Sequence, residues 1–449
     1  MSDTSVNHHP IPAVLPNETP GSCPPPEVHA LLTDVFFAPL RAIVKTSGII
    51  RKCICLDDIT FAILCVLRAL QSSKTGRDFL QTHAIPQVPE LTRSNYFASL
   101  SSKRRLTMMQ GIARHLRSVH LPTLRAHDDL LTIFPELKNW EVWAVDGHQI
   151  AHATHDPRNG KDQYSPVSAI YRLDSRTGWA EFTALVKPTA KGLEHEIITL
   201  RRLSSEALRC GAGKGQHTLI SYDRAIIDFV YAYNLKQCKS TYIITQWKSN
   251  LAPLTAIPRA IDRNNPANLL VLRDETVMFD NTPGTWRRIT SKCTDSDEIF
   301  VVLTNEMTLP PGVLCETYRL RWRIEKSFDQ QEQKLDERKA WATSDTAKTI
   351  QVISICIANN LLQLFKATLK TEEGIEDTKV IKAYHKDLDR REANAKKSGR
   401  PFPKALFLDL YRPTELSLQF IRWLRTALTI PTCYRQALER LHPLMESYL

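Results

Sequence analysis

Basic residues are missing from the first 27 positions, which hold neither Lys nor Arg but do hold seven prolines. Without a basic stretch ahead of an apolar one, nothing here signals export, and so proline-rich a segment cannot bury enough apolar surface to fold alone. A disordered tail is expected over 1–27. The C-x-x-C spacing is also absent, since the ten cysteines between Cys23 and Cys433 include no such pair. That argues against a zinc ribbon, a redox motif or a secreted disulfide framework. The longest apolar stretch, Cys53 to Leu70, carries Asp57, Asp58 and Arg68. It is too short and too charged to span a bilayer and reads as a buried helix.

What is present is 449 residues, 43% hydrophobic and 24% charged, with 59 Lys+Arg against 48 Asp+Glu and a net charge of +11. This is the composition of an ordinary soluble globular protein with room for about three domains. Cysteines of a reduced, cytoplasmic kind and a positive balance suggest an anionic partner, most often nucleic acid. From Val28 to about Lys138 apolar residues fall at helical spacing, as in Ile59, Ile63, Val66, Leu67 and Leu70, and a helical DNA-binding domain is expected over 28–138. Between Glu90 and Asp128 no acid occurs, while Arg93, Lys103, Arg104, Arg105, Arg114, Arg117 and Arg125 all do. Such a surface would neutralise phosphates, with Lys103, Arg104 and Arg105 as its densest cluster. The alternative is a solvated basic face.

From Trp140 the period changes. Trp143 to Val145 is a short apolar run ending in Asp146-Gly147, and Pro166 to Tyr171 and Ala180 to Val186 read as two more strands, turned at Arg176-Thr177-Gly178. A helix over Gly192 to Cys210, a strand His217 to Tyr222 ending at Asp223, a helix Ala225 to Leu235 and a strand Thr241 to Gln246 follow. The order β-β-β-α-β-α-β is the skeleton of a ribonuclease-H-like α/β fold, a mixed sheet with helices on both faces. We place that core at 139–248 and 311–370, interrupted by a β-rich insertion at 249–310. A long helix is expected from Gly312 to Lys334, another from Ala347 to Leu369, and a charged excursion with C-terminal helices over 371–449.

Asp146 and Asp223 end the first and fourth strands, which lie side by side in such a sheet. Paired carboxylates there can hold hard divalent cations. Glu325 is the candidate third acid, because Tyr318, Arg321 and Glu325 are spaced to share one face of a continuous helix. The segment Tyr318-Arg319-Leu320-Arg321-Trp322-Arg323-Ile324-Glu325 resembles the Y-x2-R-x3-E part of the signature of bacterial insertion-sequence transposases of the DDE type, the family-four insertion sequences with a Y-R-E-K signature. Asp223-Arg224 and Asp146-Gly147 resemble that family's second and first aspartate motifs. The resemblance covers about residues 140–365. It implies a transposase that cuts and pastes DNA with two Mg²⁺ ions, or Mn²⁺ in their place, held by Asp146, Asp223 and Glu325. It further implies phosphate contacts from Arg224, Tyr318 and Arg321, and a homodimer on paired transposon ends in the bacterial cytoplasm, at the nucleoid. The family's Lys seven residues after the Glu is Glu332 here, with Lys334 two places on.

Other patterns compete. His148, His152 and His155 could be taken as a zinc cluster, but their spacing needs a helix where a hairpin connection is expected. Gly211-Ala212-Gly213-Lys214-Gly215 lacks the first glycine and the following hydroxyl of a phosphate loop and reads as a helix cap and turn. Asp228 reads as a surface carboxylate on the helix after Asp223. Trp286 and Trp322 could stack on an unpaired base or pack in the core. The rival functions are a decayed, non-catalytic DNA-binding protein and a nuclease that cuts without joining.

Overall fold

The computed structural model describes residues 30–46, 56–71, 75–81, 91–126, 129–150, 153, 167–189, 192–224, 227–293, 298–321, 339–375, 378–399, 402, 404 and 413–447. At its centre is a mixed sheet of nine strands: β1 (Trp140–Ile150), β2 (Val167–Asp174), β3 (Ala180–Val186), β4 (His217–Tyr222), β5 (Thr241–Gln246), β6 (Thr255–Pro258), β7 (Val271–Met278), β8 (Trp286–Lys292) and β9 (Ile299–Thr304). Their spatial order is β3-β2-β1-β4-β5-β9-β8-β7-β6. β4 is parallel to β1 and to β5, and the other pairings are antiparallel. Side chains alternate across β1 as strand geometry requires. Trp140 and Val142 join the apolar cluster around Val313 and Leu314 on one face, and Val145 joins the cluster around Leu200 and Ala232 on the other. The β-β-β-α-β-α-β skeleton with helices on both faces is therefore present, and the fold is ribonuclease-H-like.

Several elements differ from expectation. β1 runs to Ile150 because β2 keeps pairing with it beyond Asp146, through Ile150 opposite Val167, although its β4 partner ends at Tyr222. The expected helix over Gly192 to Cys210 is two short ones, α5 (Glu196–Arg201) and a turn over Ser205–Leu208, divided where the Ser204 hydroxyl caps Ala207. The next helix, α6, spans Phe229–Lys239, and Asp228 is its N-cap rather than a helical residue. The segment 249–310 is β-rich, as expected. Since β9 pairs with β5, its strands extend the core sheet itself.

The helical parts share one core. α1 (Leu32–Thr46), α2 (Asp58–Leu70), α3 (Arg93–Leu100) and α4 (Lys103–Arg125) contribute Phe37, Leu64, Tyr96 and Met109 to a cluster that also holds Trp143, Ile353 and Leu424. α7 (Pro311–Arg319) lies beneath the sheet, and α8 (Asp345–Glu372) is the central helix of this cluster. α8 is long and apolar enough to cross a membrane, yet most of it is buried inside the protein. Its polar pair is satisfied by edge strand β3. Asn360 Oδ1 accepts from the Ala180 nitrogen at 2.8 Å, its Nδ2 donates to the Ala180 carbonyl at 2.9 Å, and Asn359 Nδ2 donates to the Gly178 carbonyl. The charged stretch after it includes a helix, α9 (Thr378–Lys397), and α10 (Pro413–Thr429) and α11 (Tyr434–Ser447) complete the order.

Much of the basic charge of α4 is turned inward. Arg104 donates two bonds to Asp58, at 2.7 and 2.6 Å, and Arg105, 6% exposed, donates to the Leu56 carbonyl and lies over Phe61. Arg117 bonds Glu181 and the Cys210 carbonyl. Arg125 bonds Glu141 and Asp174. Of the expected Lys103, Arg104 and Arg105 cluster, Lys103 is exposed on the surface, while Arg104 is engaged with Asp58 and Arg105 is buried. The acid-free stretch finds its counter-ions in other elements, because a buried guanidinium needs a partner wherever the chain supplies one.

Candidate active site

The strand termini set the geometry. Val145 of β1 sits opposite Tyr222 of β4, so one residue further on Asp146, still within β1, lies beside Asp223, which follows the end of β4. β4 stops here, and the gap it leaves in the sheet gives two carboxylates room at the rim. The Asp223 carbonyl accepts a bond from Thr245 Oγ1 at 3.1 Å, tying the end of β4 to β5. The Asp146 carboxylate accepts from the Gly147 nitrogen at 2.9 Å. The acids differ in exposure, with side chains 19% and 40% accessible.

Arg321 joins them. Its guanidinium, 6% exposed, lies 3.4 Å from Asp146 Oδ2 and 3.9 Å from Asp223 Oδ1. α7 ends at Arg319 and is capped at Leu320, and the Arg321 nitrogen bonds the Tyr318 carbonyl in a tighter turn. The continuous helix expected through Arg321 therefore breaks before it, and Tyr318 and Arg321 diverge. Tyr318 is buried with Trp140, Val302 and Leu314, and its ring lies 5.6 Å from the Arg321 guanidinium. It supports Arg321 from the core instead of facing a phosphate. Arg224, next to Asp223, is exposed at the rim. Trp322, Glu325 and Lys334 lie outside the described residues, as do His152 and His155.

Burial pushes the Asp146 carboxyl up to about 7; the Gly147 hydrogen bond and Arg321 oppose the rise, while Glu196 and Asp223 add to it. Glu196, which the sequence reading missed, begins α5. Burial and then the charge of Asp223 raise its carboxyl too. Its carboxylate lies over Gly147, where any side chain would overlap it.

The other candidates have structural partners. Trp286 is 1% exposed and packs edge-on against Phe229 at 4.8 Å, so it is core and offers no surface to a base. Asp228 caps α6 through the Tyr231 nitrogen and pairs with Arg201. Among the described residues, no three His, Cys, Asp or Glu side chains meet in metal-holding geometry. The hard oxygen donors of Asp146 and Asp223 are nonetheless of the kind Mg²⁺ prefers.

A ribonuclease-H-like sheet with an acid in its first strand beside another at the end of its fourth defines a class of nucleic-acid phosphodiester chemistry. In keeping with that class, residues 141–361, about half of the chain, match the family model described as the transposase DDE domain. The match runs from β1 into α8 and supports a DDE transposase. No curated protein matches the chain.

Proposed function

We propose that the protein is a cut-and-paste DNA transposase of the insertion-sequence kind, with Asp146, Asp223 and Glu325 as its three acids. The observation that carries this reading is the pairing of Asp146 and Asp223 on neighbouring strands, spanned by Arg321, inside the segment similar to transposase DDE domains. Such domains generally use divalent metal ions, and the three carboxylates would hold two Mg²⁺, or Mn²⁺ in their place. Ions held by these carboxylates would supply an activated water and neutralise charge on the phosphate. Arg321, held between the acids, is placed to orient a phosphate oxygen, and Arg224 adds a second cation at the rim. Hydrolysis at an element end breaks one P–O bond and frees a 3′-OH. That hydroxyl then attacks a target phosphodiester, forming one P–O bond as another breaks. Joining two ends in one event calls for a homodimer on paired DNA ends.

The test uses purified protein and DNA carrying the element end. Asp146→Ala and Glu325→Gln should abolish Mg²⁺-dependent nicking and leave end binding intact in a gel shift. Cleavage that survives Glu325→Gln would remove the third-acid assignment. A substrate with a free 3′-OH, offered with target DNA, separates a transposase from a nuclease that cuts without joining.

A further inference from the structure

Among the described residues, Glu196 is the one carboxylate at the site with neither a hydrogen bond nor an ion pair. Asp146 has the Gly147 nitrogen and Arg321, and Asp223 has Arg321. Glu194, two residues before Glu196, is held by Arg202, Thr199 and the Lys187 nitrogen. Glu196 instead lays its carboxylate over Gly147, in a space that exists only because residue 147 has no side chain. Among the described residues, Glu196 adds a third negative charge beside Asp146 and Asp223, while Arg321 bridges the two aspartates alone and Arg224 lies exposed at the rim; a cation would balance that excess in a half-buried site. Residue 147 projects to the sheet face opposite Asp146, so Glu196 approaches from the α5 side and acts on the site through its charge.

Resting on the reading of Asp146 and Asp223 as cation ligands, we infer that Glu196 is a positioning residue whose unpaired carboxylate sets the divalent-cation affinity of that pair. A carboxylate behind the direct ligands typically changes metal affinity by about 10- to 100-fold.

The experiment is a calorimetric titration of the DNA-free full chain with Mn²⁺ alone, for wild type, Glu196→Gln, Gly147→Ala and Asp146→Asn, with a urea midpoint measured for each. Glu196→Gln should weaken Mn²⁺ binding about tenfold without lowering the midpoint, because it removes an uncompensated charge of the same shape. Gly147→Ala should weaken binding in the same direction, since the flexible end of Glu196 swings aside and the fold is kept. Wild-type affinity in Glu196→Gln, alongside weakened binding in Asp146→Asn, overturns the inference and leaves the site standing. So does a lowered midpoint with unchanged affinity, which marks Glu196 as merely structural. Binding indifferent to Asp146→Asn overturns the cation site itself, and the inference with it.

Discussion

Replacing Arg125 with Met tests whether the basic stretch of α4 holds the fold together or faces DNA. The guanidinium bonds Glu141 through two nitrogens at 2.7 and 2.6 Å and Asp174 through Nε at 2.8 Å. The three side chains are 17%, 7% and 0% exposed, so little solvent screens them. A unit pair at ~4 Å is worth about 4 kcal/mol at an effective dielectric of ~20, and here two carboxylates share one cation. The loss is moderated by what remains. Glu141 keeps the Trp143 indole at 3.1 Å, and Asp174 keeps the Arg176 nitrogen at 3.0 Å and Thr177 Oγ1 at 3.2 Å. That places the cost at about 3–5 kcal/mol, the range for a broken buried pair, and in urea the midpoint should drop by more than ~1 M. The sign with pH follows from Glu141, which burial alone would raise but which its bonds to Arg125 hold below the usual carboxylate range. A depressed carboxyl contributes stability above its unfolded pKa and loses it as the pH falls through the folded value. The gap between wild type and Arg125→Met should therefore narrow in acid. Lys103→Ala, on the exposed start of the same helix, should leave the midpoint within about 0.5 kcal/mol of wild type. An unchanged midpoint in Arg125→Met, with DNA affinity whose log-log salt slope falls by about 0.9, would refute the structural assignment and restore a DNA-facing helix.

Trp286→Ala should cost about 3–5 kcal/mol in urea denaturation and leave the affinity of the remaining folded protein for end DNA unchanged; weaker DNA binding at an unaltered midpoint would return Trp286 to a stacking role. Gly312→Ala should destabilise by at least ~1–3 kcal/mol, because a Cβ there would overlap the Ala267 carbonyl and come within 2.9 Å of the Asn268 nitrogen, both backbone atoms that cannot swing aside. A midpoint equal to wild type would refute that close approach.

The sheet skeleton was legible because its signals are local. Alternating or continuous apolar runs broken at Arg176-Thr177-Gly178 and at Asp223 give the strand order without knowledge of partners. Element lengths were less legible, since they depend on neighbours: β1 continues past Asp146 only because β2 pairs with it, and that the strands of 249–310 extend the core sheet depends on β9 meeting β5. Asp146 and Asp223 were readable as neighbouring acids, although only Asp223 follows a strand end and Asp146 lies within β1. Glu196 was not, because its approach to Gly147 is set by how α5 packs on the sheet and no spacing in the chain encodes it.

The same distinction governs the charge. A net charge of +11 invites the view that arginines crowd a DNA-binding face, yet Arg105, Arg287 and Arg321 are at least nine-tenths buried, and Arg117 and Arg125 reach into the carboxylates of β1, β2 and β3. Trp143 shows what this builds. Its ring, fully buried, lies 5.1, 5.9 and 5.3 Å from the guanidinium carbons of Arg117, Arg125 and Arg172, and its indole donates to Glu141. Three guanidiniums can crowd one ring because Glu141, Asp174 and Glu181 neutralise them there. The α4 helix is thereby anchored to the three strands that position Asp146. Positive charge in this stretch of sequence thus acts largely inside the protein, through Arg104, Arg105, Arg117 and Arg125, while Arg93, Lys103 and Arg114 are exposed.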